Sequence, residues 1–353
     1  MKKSRNRIIK VASVYTGTVL GAGFASGREI IQFFTSYGWD GICGLFLSGL
    51  LFALLGCVVL EIVYIYKIKD YRDFIYPIMG DFLGNVMEWV VSLFMFITFC
   101  AMLAGAGALL KQQFNIPTTI GVFIMAGLCF IIFLYDIKGI IAINSILAPL
   151  LLIGGILLGI YIIVFKDVAV FSYSITSVFR KITRNWVASS IIYVSYNIIT
   201  AVVILCSLYN TINSKKEARL GGIIGGLVLG VLGICIGMVT FIHYGNIKDI
   251  EIPMLEITAK YGFLIEYIYL IVLFSAIFTT AVANGYGFLN RVCFEFNVSY
   301  KFILPIFILI SILIAKIGFS KMVGEIYPIF GYVGIFEIFV ILLYFVNIKI
   351  RKI

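Results

Sequence analysis

Long apolar runs separated by short polar clusters set the pattern of this chain. Ten runs are long enough, or nearly so, to cross a bilayer as helices, which takes about 20 residues each. They lie at roughly 8–36, 40–66, 83–110, 117–135, 139–165, 186–209, 219–244, 262–290, 301–318 and 323–347. The pattern predicts an all-α membrane protein of about ten transmembrane helices. Ten divides into five plus five. Because five is odd, the second half must enter the membrane from the opposite side. The expected organisation is therefore a first repeat over 1–165, an outer linker over 166–185 and an inverted repeat over 186–353, a layout common among secondary transporters.

The first run breaks its own pattern. It reads IIKVASVYTGTVLGAGFASGREIIQFFTSYG, longer than one crossing needs, with Gly17, Gly21, Gly23 and Gly27 in its middle. The inner arm, Ile8 to Leu20, spans about 20 Å of helix, which sets Gly21 to Gly27 near the bilayer midplane. Two readings compete. Gly17/Gly21 and Gly23/Gly27 are each spaced for close helix packing. The same stretch also suits an unwound segment whose bare amides and carbonyls face a solute. Arg28 and Glu29 follow directly, and charges inside a span are costly unless they line a cavity or pair with each other. That favours the break. The inner half-helix would then end in carbonyls able to hold a cation, and the outer half would begin with N–H groups able to hold a carboxylate.

Composition agrees with the membrane reading. Of 353 residues, 62% are hydrophobic and only 12% charged, against about 25% charged in soluble domains. The net charge of +10 does not point to nucleic acid, because the basic residues sit at the ends of apolar runs rather than on one face. With the amino terminus inside, inner segments carry seventeen Lys and Arg and outer segments nine, with Arg28 left inside a span. Cytoplasmic loops attract positive charge, so both termini are expected in the cytoplasm and the chain in the cell membrane as a multi-pass protein. The start MKKSRNRIIK resembles the head of a signal peptide, but no Ala-x-Ala site follows, so it reads as the lead-in to a retained helix. The seven cysteines are scattered singly, as small packing residues.

The motif GTVLGAGFASGRE resembles the first-helix motif of the amino acid–polyamine–organocation superfamily, whose fold is the leucine-transporter type. In length and span count the whole chain is similar to the bacterial YkvI-type amino acid permeases. The resemblance implies a sixth helix that mirrors the first and is also discontinuous. Its centre here, Tyr193-Val-Ser-Tyr-Asn197, is polar and aromatic but has no glycine. Ser195 and Asn197 can bond their own backbone and compete with the helix, or the patch can face neighbouring helices.

In the eighth span, Phe-Ser-Ala-Ile-Phe-Thr-Thr is similar to the segment that holds sodium in the leucine-transporter type. The resemblance implies a Na⁺ site of neutral oxygens from Gly17, Leu20, Ala276, Thr279 and Thr280, as suits a hard cation. Membrane hydroxyls otherwise bond carbonyls one turn back. For the solute, the resemblance implies Gly21, Ala22, Gly23, Phe24 and Ala25 with Ser195, Tyr196 and Asn197. The solute's carboxylate would meet the glycine break and its amine would meet helix carbonyls. Ala104-Gly105-Ala106-Gly107 in the third span either makes room for a ligand or packs a helix. The shortage of acidic groups at mid-membrane argues against a strongly cationic solute.

Arg28 and Glu325, both near the outer side, form a candidate gating pair, although Glu29 would neutralise Arg28 locally. His243, the sole histidine, reads as an interfacial anchor, and Glu88, Glu266 and Glu337 are the other acids open to a proton role. Pro253 is placed to start a short helix in the outer loop. The expected function is alternating-access transport of an amino acid or similar small zwitterion, coupled to Na⁺, with no other cofactor, no nucleic acid and no obligate protein partner. The alternatives are a proton-coupled permease of the same fold, or a sensor that binds an amino acid without moving it. The sequence lacks His-Glu-x-x-His, paired catalytic aspartates and Gly-x-Ser-x-Gly, so an enzyme is not expected.

Overall fold

The computed structural model describes residues 2–134 and 183–350, together with six helical residues between 154 and 161. Most of the expected fifth span, 139–165, and of the outer linker, 166–185, lies outside the described residues. Gly155 and Gly159 of that span lie against Leu232 and Cys235.

Among the described residues, six helices are long and apolar enough to cross a membrane, and two shorter apolar ones accompany them. The first span forms α1 (Lys2–Val19), α2 (Ala22–Ala25) and α3 (Arg28–Phe33). Then follow α4 (Trp39–Tyr66), α5 (Tyr71–Phe114), α6 (Thr118–Leu134), α7 (Trp186–Ser207) and α8 (Lys215–Ile242). The outer loop carries α9 (Pro253–Ala259), started by its proline as expected. The chain ends with α10 (Phe263–Phe296), α11 (Tyr300–Ala315) and α12 (Tyr327–Ile350), the last entered through a π-helical turn at Met322–Ile326.

The third element differs from its expected span. α5 begins at Tyr71, about three turns earlier, and bends at Gly80, whose φ of 77° suits glycine. The inner loop before it is therefore helical rather than irregular. Tyr71 from this stretch donates to the buried Glu337 of α12, 3.0 Å away.

The tightest seam joins α4 to α8. A Cβ on Gly230 would lie 2.8 Å from Cα of Gly49, one on Gly226 2.1 Å from the amide nitrogen of Ala53, and one on Gly222 2.4 Å from the carbonyl carbon of Gly56. Small residues every fourth position let the backbones touch, which in lipid replaces the hydrophobic drive available in water.

The inner arm is locked to α8 and α4. Arg7 forks onto Glu217 with bonds of 2.9 and 2.7 Å, and Tyr15 donates to the Phe52 carbonyl at 2.9 Å. Arg7→Ala is expected to loosen α1 at its amino-terminal end. A Thr16→Cys reporter, at a position only 1% exposed here, should then react several-fold faster with a maleimide that cannot cross the membrane. Unchanged labelling would show that the pair does not close the inner side.

Candidate functional site

The first helix is broken where the glycines suggested. In an α-helix the amide of Gly21 would donate to Gly17; instead it donates to Val19 at 2.8 Å, so the ladder of α1 stops there. The outer arm is not one helix. Gly27, at φ 78°, turns the chain between α2 and α3. This left-handed residue separates Arg28 and Glu29 from the direction that a continuous helix would give them.

The two charges diverge. Arg28 Nη1 donates to the carbonyls of Lys248 and Ile250, 3.0 and 3.1 Å away, in the outer loop. Glu325 is exposed within the π turn. The expected gating contact is thus replaced by one between Arg28 and the loop backbone. Met254 of α9 donates to the Ser26 carbonyl at 3.0 Å and its side chain covers Gly27, while Tyr269 donates to the Ala25 carbonyl. These contacts seal the outer side of the break.

Glu29 turns inward instead of neutralising Arg28. It is 5% exposed, and its Oε1 lies 2.0 Å from where a Cβ on Gly23 would stand. Only the missing side chain of Gly23 lets the carboxyl fold back over the break. The expectation that mid-membrane acids are lacking is therefore corrected, because the turn at Gly27 swings one in.

α7 is continuous through Tyr193–Asn197, which corrects the expected break in the sixth helix. Ser195 Oγ donates to Ile191 and Asn197 Nδ2 to Tyr193, each one turn back, so these side chains decorate the backbone ladder rather than replace it. No glycine or proline is present there to break it. Ser195 also faces α12, its carbonyl 2.7 Å from the Cβ position of Gly334. Tyr196, by contrast, faces Glu29.

Tyr193 and Tyr196, three residues apart on one helical face, close a ring wall with Phe33 at centroid distances of 5.4 and 5.5 Å. Phe94 of α5 and Tyr327 of α12 extend it, with Tyr196 to Tyr327 at 5.4 Å and Phe94 to Tyr327 at 5.2 Å. All three tyrosine hydroxyls lie within electrostatic reach of Glu29, and Thr98 faces Tyr327. Yet Glu29 Oε2, Thr98 Oγ1 and the hydroxyls of Tyr193, Tyr196 and Tyr327 close no hydrogen bond among the described residues. Each buried polar group left so costs about 1–3 kcal/mol. Tyr193, Tyr327, Thr98 and Glu29 are site candidates absent from the sequence reading. The signal for the tyrosines was their spacing, whereas nothing local pointed to Thr98.

On the opposite side of the break, Gly21 approaches α10. A Cβ there would lie 4.0 Å from Cγ2 of Thr280. Thr279 is buried and donates to Ala276, while the Thr280 carbonyl accepts from Asn284. Leu20 is buried and Gly17 half-buried on the last turn of α1. Among the described residues no cluster of His, Cys, Asp or Glu is spaced to hold a metal.

Of the other acids, Glu337 accepts from Tyr71 through Oε1 but leaves its buried Oε2 without a hydrogen bond among the described residues. Glu88 pairs with Arg291 at 2.8 Å and Glu266 accepts from Gln113 at 2.9 Å. His243 is fixed between Val239 and Tyr261. Ala104, at 3% exposure, lines a cavity of about 510 Å³ with Lys111, Lys316 and Glu251. That cavity opens beside the end of α5 and the end of α11, and its lining includes none of the ring-wall residues. Gly107 packs against α6 at Thr118.

A helical bundle whose first helix is interrupted has the fold of leucine-transporter-type membrane proteins. The chain belongs to the family of the uncharacterized membrane protein YkvI of Bacillus subtilis (strain 168), to which it is 30% identical over 345 residues, 95% of each chain. No protein-family model matches it. The fold is similar to that of Mhp1 in its inward-facing conformation, with a TM-score of 0.66 at 12% identity, covering 93% of this chain and 73% of that one. It is also similar to MhsT in complex with L-phenylalanine, with a TM-score of 0.65 at 15% identity, covering 93% and 87%.

Proposed function

We propose that this chain is a secondary active transporter. It moves an amino acid or similar small zwitterion across the cell membrane by alternating access, coupled to Na⁺, with both termini in the cytoplasm. The observation that carries the reading is the break at Leu20–Gly21, flanked by the buried Glu29 and its ring wall on one side and by Thr279 and Thr280 on the other. A buried carboxyl beside a broken helix suits a solute site, because charge in the membrane interior must be lined or paired. MhsT, solved with L-phenylalanine, shows that the shared fold accommodates a zwitterion of this kind.

The test is counterflow of amino acids in proteoliposomes, measured against sodium concentration. Uptake should rise with sodium in the wild type, and Thr279→Ala and Thr280→Ala should each shift the sodium dependence to higher concentration. Unchanged dependence in both variants would remove the assigned ion site. A proton-coupled permease is the second reading. It is favoured by Glu29, a buried carboxyl against the ring wall with an unpartnered oxygen, and would appear as uptake driven by a pH gradient without sodium.

A further inference from the structure

We propose that Glu29, walled by Phe33, Tyr193, Tyr196 and Tyr327, is the subsite for the amino group of the solute. The site then selects amines and zwitterions and rejects acids that lack an amino group. This rests on reading the break and its ring wall as the solute site, and it reverses the polarity that the first-helix motif implied, in which the break takes the carboxylate.

Four observations support it. The carboxyl is nearly buried, and Oε2 has no hydrogen-bond partner among the described residues. A carboxyl that served only to cap α3 would accept from the N–H groups of its first turn, and no such bond is formed. The adjacent cation, Arg28, is directed to the loop carbonyls of Lys248 and Ile250. The surrounding hydroxyls supply acceptors and the rings supply faces. An ammonium group carries three donors and no acceptor, so it satisfies the carboxylate and two hydroxyls at once. Tyr196, packed edge-on or tilted against Phe33, Tyr193 and Tyr327 at 5.4–5.5 Å between centroids, belongs to an aromatic cluster whose quadrupoles attract an organic cation seated beside the carboxyl. A ligand carboxylate placed here would face a like charge.

The experiment uses purified full-length protein in lipid nanodiscs and three probes sharing one ring: 2-phenylethylamine, L-phenylalanine and 3-phenylpropionate. Thermal stabilisation is followed together with modification of Glu29 by dicyclohexylcarbodiimide, read by mass spectrometry. The amine and the zwitterion should stabilise the protein and slow modification of Glu29, and the acid should do neither. Glu29→Gln should weaken the amine's effect by about tenfold or more. Three results would overturn the proposal: stabilisation by the acid equal to that by the amine, an unchanged response in Glu29→Gln, or no protection of Glu29 by either ammonium probe. If Glu29→Gln does not fold, protection in the wild type still decides. Protection without counterflow removes the transport reading and keeps the subsite; normal counterflow in Glu29→Gln does the reverse.

Discussion

The Gly226→Leu variant is expected to accumulate no folded protein. The new Cβ alone would stand 2.1 Å from the amide nitrogen of Ala53 and 2.4 Å from its Cα. These are backbone atoms of α4, so no rotamer change relieves the overlap. α4 and α8 would have to separate, carrying with them Gly49, Gly56, Gly222 and Gly230, which touch along the same seam. Overpacking usually costs 1–3 kcal/mol. Against backbone on both sides the cost here should be about 4 kcal/mol or more, the range reserved for structural failure. Gly127→Leu on α6 is the control, since a Cβ at Gly127 meets nothing within 4 Å. The measurement is the yield of monodisperse protein and its unfolding temperature. Normal yield from Gly226→Leu would show that the seam is looser than described.

The Gly23→Ala variant should fold but fail to work. A methyl group at position 23 overlaps only the far end of Glu29, with Oε1 at 2.0 Å and Cδ at 2.6 Å. A flexible side chain can swing away, so the bundle survives with a small change in unfolding temperature. The carboxyl, however, leaves the ring wall. Misplacing a positioning group by about 1 Å costs on the order of a hundredfold, and counterflow should fall by about that factor. A double-mutant cycle separates causes. If the effect runs through Glu29, then Gly23→Ala combined with Glu29→Gln is no worse than Glu29→Gln alone. Full additivity would place the damage elsewhere in the break.

The interrupted first helix was legible because glycine and adjacent charge act locally. Four glycines in one span lower helix stability whatever surrounds them. The direction taken by Glu29 was not legible, since it depends on the positive φ of Gly27 and on loop carbonyls over 200 residues away that draw off Arg28. Side by side in sequence, the two charges invite pairing; the turn sends them apart.

The sixth helix shows the opposite failure. A resemblance supplied a break that the residues themselves do not encode, for Ser195 and Asn197 satisfy their side chains one turn back and leave the ladder whole. In the α4–α8 seam, the four-residue spacing of Gly222, Gly226 and Gly230 signals a close approach. It does not name the partner, which only the fold supplies.

The π turn at Met322–Ile326 works as a one-residue phase shift. Helical residues advance by roughly 100° each, so an extra residue in one turn rotates everything after it by that angle. Tyr327 enters the ring wall and Glu337 reaches Tyr71 only with that rotation in place. Amphipathic periodicity carried across residue 322 therefore assigns α12 to the wrong face. Gain or loss of a single residue in this turn would re-aim Tyr327 without changing the identity of any ring-wall residue, a route by which relatives of similar sequence can diverge in what they accept.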